Sequence, residues 1–331
     1  MNEEAKKLTV SSSPHVRSGD TSTGIMLDVI ISLLPALIAA VCIFGARALL
    51  IVLVCVGVSV LSEYLIRKLM KRSTTIGDLS AVVTGLLLAF NLPVTIPLWM
   101  AAIGSAISII IIKQFFGGIG QNFVNPAIGG RIILLVSFPS AMSNWVEAFA
   151  WRQTSDAVSS ATTLSLIGKG TELEAELPSL AQMFLGARGG CIGETCILAL
   201  LLGAFYLMIR RVIKPTIPLT FIATVAVFML IATRDIRMTA YALMSGGLVL
   251  GAFFMATDYT TSPISTKGKI IFGIGCGIIT SVIRLFGSLP EGVSYSIIIM
   301  NIIAPLIDRF TMPKPFGTLK EKKSKKEDKA A

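Results

Sequence analysis

Charge is scarce in this sequence. Of its 331 residues, 15% are Asp, Glu, Lys or Arg, against about 25% in ordinary soluble chains. Aromatic residues make up 8%, and histidine occurs once, as His15 in a polar N-terminal stretch. With no second histidine, the usual base that activates a hydroxyl nucleophile is missing, and a protease-type reading fails. The five cysteines, Cys42, Cys55, Cys191, Cys196 and Cys276, form no C-x-x-C pair and have no histidine beside them. Neither a zinc nor an iron–sulfur site is expected of this chain, so no metal ligand is assigned. The cysteines read as small apolar packing residues. The first 24 residues are polar and lack the short apolar core of a signal peptide, so insertion into a membrane is expected to be directed by later segments. No nucleotide fingerprint is complete: Gly118 and Gly120 begin a G-x-G, but the third glycine is missing and no G-K-[ST] follows.

Apolar residues fill the space. They make up 53% of the chain, and the mean hydropathy is +0.78. The net charge of +10 is uneven, since "GTLKEKKSKKEDKAA" at the C-terminus holds six lysines. Such a run reads as a solvated tail near anionic headgroups, and no nucleic-acid partner is expected.

Runs of about 20 apolar residues cross a bilayer as helices, which satisfy their own backbone hydrogen bonds. Ten such runs are read, at 25–45, 48–66, 79–92, 97–115, 126–138, 191–210, 216–233, 238–256, 269–287 and 293–310. They do not alternate as the strands of a membrane barrel would. The third, closed by "NLPVTIP", and the fifth, opened by "NPAIGG" and closed by Pro139, are too short to cross as straight helices. Short spans interrupted by glycine or proline mark broken helices around a site.

Orientation follows the basic loops. "RKLMKR" (67–72), "RRVIK" (210–214), Lys267, Lys269 and the tail all fall on one side, which places both termini in the cytoplasm. Arg234 and Arg237 are a small basic excess on the other side. The loop 139–190, with a formal charge of about −2, is then extracytoplasmic.

That loop divides the spans into five and five, and an odd number per half makes the second half an inverted copy of the first. "GDLSAVVTGLLLAFNLP" (77–93) and "GAFFMATDYTTSP" (251–263) are the matching stretches in the third span of each half. The expected fold is therefore an all-α integral membrane protein of about ten transmembrane helices in two five-helix inverted repeats with broken helices. Its parts are a cytoplasmic tail (1–24), a first five-span repeat (25–138), the outer loop (139–190), a second five-span repeat (191–311) and a basic cytoplasmic tail (312–331).

Three stretches are candidates for chemistry. "FFGGIGQNFVNPAIGG" (115–130) is either a tight connection between spans or a backbone lining a pocket, with the Asn122 and Asn125 amides facing the edge of a planar heterocycle. "FMATDYTTSP" (254–263) puts Asp258 at a membrane boundary, as a cation or proton site or as a helix cap. Asp28 and Asp308 raise the same question, and Asp308 has Arg309 beside it. "DAVSSAT" (156–162) taken alone is a turn-rich surface loop or an N-cap.

The last stretch also resembles the flavinylation motif of bacterial respiratory flavoproteins, in which a flavin transferase joins FMN to a threonine hydroxyl through a phosphoester. The acceptor maps to Thr162, framed by Asp156, Ser159, Ser160 and Ala161; Ser160 stands where glycine is commoner. "SAVVTGLLLAFNLP", "KQFFGGIGQNFVNPAIGGR", "FFMATDYTTSP" and "IIIMNIIAPLID" extend the resemblance over nearly the whole chain. They are similar to the D subunit of the Rnf complex and to its homologue, the B subunit of the sodium-pumping NADH:quinone reductase. The short polar start favours the former.

The resemblance implies a multi-pass subunit of the prokaryotic plasma membrane, within an assembly that passes electrons between ferredoxin and NAD and pumps Na+ or H+. Covalent FMN at Thr162 would be its electron carrier, and the fellow subunits would include membrane and iron–sulfur proteins and a second FMN-carrying one. The NAD and ferredoxin sites would lie on other subunits. The resemblance extends to a second, non-covalent riboflavin, for which Asn122 and Asn125 are the candidates. A secondary transporter is the alternative from a different class; it fits the spans but has no use for a flavinylation motif. A scaffold subunit without a cofactor is a third.

Overall fold

In lipid, a backbone that cannot bond to water bonds to itself, and the described residues form helices and no β-strand. The structure is a computed structural model, and it describes residues 19–152, 178–287 and 291–313. Five helices are long and apolar enough to cross a membrane: α1 (Ser22–Phe44), α2 (Ala46–Leu69), α7 (Thr216–Thr233), α10 (Thr266–Phe286) and α11 (Val293–Thr311). Four shorter apolar helices lie between them: α3 (Ser80–Phe90), α4 (Leu98–Gln114), α5 (Pro126–Ser137) and α6 (Ile197–Ile209). A sixth candidate span is the pair α8 (Ile236–Met244) and α9 (Leu248–Met255), bent by 63° at its break.

The short helices are short for local reasons. α3 has 11 residues, about 16 Å of rise against a hydrocarbon core of about 30 Å. Pro93 and Pro97 follow it and prevent its continuation. α5 starts at Pro126 behind Asn125, whose side chain accepts from Ala127 N–H (3.0 Å) and Ile128 N–H (3.4 Å). It stops before Pro139. α4 and α9 each end in a π-helical segment, Ser108–Gln114 and Gly251–Met255. The wider turn in α4 buries the consecutive side chains Ile112, Lys113 and Gln114.

Two expected spans differ from the sequence reading. The run 191–210 is helical only from Ile197. Its first residues instead thread in as non-helical chain, with Ile192 N–H bonded to the Leu92 carbonyl (3.0 Å) and Gly193 N–H to the Phe90 carbonyl (2.9 Å). A Cβ at Gly193 would stand 2.3 Å from the Phe90 side chain, so glycine permits this approach. Irregular backbone at membrane depth is tolerated where protein buries it. The run 238–256 breaks at Ser245–Gly247, with Gly246 at φ +62°. Arg284 of α10 reaches across and donates to the carbonyls of Ala242 (2.6 Å) and Ser245 (3.1 Å), which the break leaves without helical partners.

Small residues let the helices touch. α1 packs along α6 with Gly203 so close to the Ser32 carbonyl that a Cβ would lie 2.0 Å from it. α7 packs along α10, where Gly273 and Gly277 meet Thr220 and Thr224. α5 meets α11, so helices from both sides of the 139–190 loop share one core.

Candidate functional site

At the end of the bundle that carries the connections 70–79, 115–125 and 256–265, the helices enclose a cavity of about 110 Å³. α1 contributes Met26 and Val29, α3 Ser80 and Thr84, α4 Lys113, and α9 Phe253 and Phe254. Asn122, Asn125, Asp258 and Thr260 complete the lining. Asn122, Asn125 and Asp258, all singled out in the sequence, thus meet in one place although they come from distant segments.

Their geometry gives each a definite role. Asp258 Oδ1 accepts from Thr260 N–H (3.4 Å) and Oδ2 from the Thr261 hydroxyl (3.2 Å), and the Asn122 amide faces the same carboxylate. Burial raises the Asp258 carboxyl above its ordinary range, against those hydrogen bonds, which favour the ionised form. Asn122 Nδ2 donates to the Val124 carbonyl (3.0 Å). Asn125, besides capping α5, donates to the Met255 carbonyl (3.2 Å) at the end of α9. The Asn301 amide, oriented to satisfy its neighbours, accepts from Asn125 N–H and donates to the Thr261 carbonyl, each at 3.2 Å. Asn122 and Asn125 therefore brace the connection and line the cavity at once.

Behind this cavity lies a buried ionic network. Lys113 Nζ bonds Glu63 Oε2 (2.9 Å) and the Ser80 hydroxyl (2.6 Å). Glu63 Oε1 accepts from Gln114 Nε2 and the Thr75 hydroxyl, both at 2.7 Å. Arg67 reaches Gln114 Oε1 at 3.2 Å. A second network sits deeper toward the other end. Arg131 of α5 bonds Asn91 Oδ1 (2.5 Å) and Glu291, and its guanidinium lies 3.6 Å from the Cys191 sulfur. Glu194 accepts from Cys191 N–H (3.0 Å), and Arg188 donates to the Glu194 carbonyl (2.9 Å). Burial pushes the Glu291 carboxyl up, opposed by Arg131, and pushes the Arg188 guanidinium down.

The sequence reading did not single out Glu63, Lys113 or Arg131. The signal was present, since each is an ionisable residue inside an apolar run (48–66, 97–115 and 126–138). Asp28 lies outside the cavity lining: its carboxylate accepts from the Tyr206 hydroxyl (2.8 Å) and pairs with Arg210 (3.2 Å). Asp308 accepts from Ile264 N–H (3.0 Å) across helices. Asp156, Ser159, Ser160, Ala161 and Thr162 lie outside the described residues. Among the described residues no group of three or more His, Cys, Asp or Glu is placed to hold a metal ion.

A model of the NQR2, RnfD, RnfE family matches residues 9–317. The chain belongs to this family. Among curated members, it is 48% identical over 321 residues to the D subunit of the Na(+)-translocating ferredoxin:NAD(+) oxidoreductase complex of Acetobacterium woodii, covering 96% of this chain and 98% of that one. It is 45% identical over 323 residues to the D subunit of the proton-translocating ferredoxin:NAD(+) oxidoreductase complex of Clostridium ljungdahlii, with coverage of 94% and 96%. The D subunit of the ion-translocating oxidoreductase complex of an Escherichia coli strain is 32% identical over 344 residues, with coverage of 93% and 98%. Membership in the NQR2, RnfD, RnfE family places the cavity, the two ionic networks and the "DAVSSAT" stretch within one matched region.

Proposed function

We propose that this chain is the flavin-carrying membrane subunit of an ion-translocating ferredoxin:NAD+ oxidoreductase complex. The observation that carries the reading is near full-length identity to proteins named as the D subunit of such complexes, in a chain that also contains the D-x-x-S-S-A-T stretch. In this reading Thr162 holds FMN through a phosphoester, set up by a flavin transferase. The FMN supplies the redox chemistry, and the chain supplies its placement. The ten apolar runs span the plasma membrane as two inverted five-span halves, with both termini in the cytoplasm and the 139–190 loop outside. The Gly85–Pro97 and Gly251–Pro263 stretches, each with the same spacing from glycine to proline, support that arrangement.

The oxygen-bearing side chains around the Asp258 cavity support an ion role. Asn122 and Asn125, both in its lining, stay the candidates for a second, non-covalent riboflavin. Carboxylate, hydroxyl and amide oxygens around a small void suit a hard cation or a proton. The relatives are named for different ions, so Na+ and H+ both remain assigned. Dependence of ferredoxin:NAD+ activity on sodium in sealed vesicles, with and without a protonophore, separates them.

The flavin assignment is tested by mass spectrometry of the peptide spanning residues 153–169, which is expected to carry an FMN adduct on Thr162. Thr162→Val is expected to abolish covalent flavin fluorescence in a denaturing gel. Fluorescence that survives this substitution overturns the assignment.

A further inference from the structure

A second cavity, of about 340 Å³, opens beside the Asp258 site at the same end of the bundle. Three segments wall it: Asn122 and Phe123, residues 260–262, and the C-terminal half of α11 from Asn301 to Asp308. It shares Asn122 and Thr260 with the smaller cavity.

Its wall has two characters. One side is apolar and outward-facing: Phe123 and Ile302 are exposed, and the exposed surface continues along α11 to Leu306 and Phe310. The Phe116 ring backs Phe123, with centroids 4.6 Å apart. In a bilayer such a surface meets acyl chains. The other side carries oxygen acceptors. Asn301 and Pro305 are one turn apart and both line the cavity. Pro305 has no N–H, so the Asn301 carbonyl lacks its helical donor. Ser262 adds a hydroxyl.

Asp308 gives this wall its charge. Its Oδ1 accepts from Ile264 N–H (3.0 Å). Among the described residues the ion pairs within 4.0 Å are Lys113–Glu63, Arg131–Glu291 and Arg210–Asp28, and Asp308 belongs to none of them. Asp308 stands in the last turn of α11, where the helix end already concentrates negative charge and favours a cation. Lys269 of α10 is near enough to feel the Asp308 charge without pairing with it. An unpaired acid and an unpaired base at one cavity mouth, above an apolar wall, complement a zwitterionic headgroup with acyl chains.

We propose that this cavity holds the headgroup of a membrane phosphatidylethanolamine, its ammonium on Asp308, its phosphate toward Lys269 and its acyl chains along Ile302 and Leu306. The volume lies within the roughly 300–1,000 Å³ of ligand pockets. An ammonium has three N–H donors, and the Asp308 carboxylate, the Asn301 carbonyl and the Ser262 hydroxyl are three acceptors. A choline headgroup has the same charge but no N–H, and forfeits the charge-assisted hydrogen bonds. The site is independent of the flavin on Thr162 and of the ion assigned to Asp258.

The test uses the full-length chain, delipidated in detergent. It is titrated with phosphatidylethanolamine, phosphatidylcholine or phosphatidylglycerol of identical acyl chains. Native mass spectrometry counts the bound lipids, and the thermal midpoint is the second readout. The chain is expected to hold one phosphatidylethanolamine at least tenfold more tightly than either other lipid, with a raised midpoint. Asp308→Asn and the filling variant Ser262→Leu are expected to bring phosphatidylethanolamine down to the level of phosphatidylcholine while keeping the lipid-free midpoint. Equal binding of those two lipids by the wild-type chain overturns the proposal without recourse to a variant. A preference unchanged in both variants overturns it as well, since the lipid then sits elsewhere. Displacement of phosphatidylethanolamine when sodium chloride replaces choline chloride at equal ionic strength overturns it in favour of a metal cation.

Discussion

Lys113 Nζ lies 2.9 Å from Glu63 Oε2, with both side chains almost wholly buried, at 3% and 1% exposure. The pair joins α2 to the π-helical end of α4 inside the apolar bundle. Removing one partner strands a buried charge, which costs about 3–5 kcal/mol, whereas removing both leaves no charge to strand. Lys113→Met is therefore expected to lower the thermal midpoint in detergent strongly, and the Glu63→Gln/Lys113→Met double variant to recover part of the loss. A single variant as stable as the wild type would show that water reaches the pair.

Gly203 and Gly57 make a matched comparison. A methyl group at Gly203 meets the Ser32 carbonyl at 2.0 Å, while one at Gly57 meets nothing within 4 Å. Gly203→Ala is expected to destabilise the chain by about 1–3 kcal/mol through overpacking. Gly57→Ala is expected to be neutral or stabilising by up to about 1 kcal/mol, since alanine is the better helix former. Chemical denaturation of the two variants side by side checks both.

Arg284 holds the broken end of α8 through the Ala242 and Ser245 carbonyls. Arg284→Met is expected to speed amide hydrogen exchange across residues 236–255 at least tenfold while leaving α1 and α2 unchanged. Uniform acceleration through the whole chain would point to global destabilisation instead.

Asp258 gives a pH dependence whose sign follows from its burial. Its folded value is raised above the ordinary 3.8, so the ionised form is disfavoured in the folded state. That penalty is full above the folded value, shrinks as pH falls through it, and is gone below the ordinary value. Asp258→Asn is therefore expected to be more stable relative to the wild type at pH 8 than at pH 4. A difference in thermal midpoint that stays flat over this range would refute burial of the carboxyl.

Much of the helical pattern could be read from hydropathy. The runs 25–45 and 48–66 appear as α1 and α2, and the two runs read as too short appear as the 11-residue α3 and the 12-residue α5. Asn122, Asn125 and Asp258 were legible as polar residues at span ends, and they share one cavity. The non-helical stretch at Cys191–Cys196 and the break at Ser245–Gly247 were not. Both are apolar or small on average, and their shape depends on Phe90 and Arg284, which come from elsewhere in the chain.

By itself, the sequence determined that the chain lives in lipid, roughly where most of its apolar helices lie, and which stretches carry unusual polarity. Those properties follow from local composition, because in hydrocarbon each segment must satisfy its own backbone. Only the tertiary structure decided which charges meet. Glu63 and Lys113 are 50 positions apart and Arg131 and Glu291 are 160. Pairing a buried charge depends on distance in space, which the spacing along a chain does not encode.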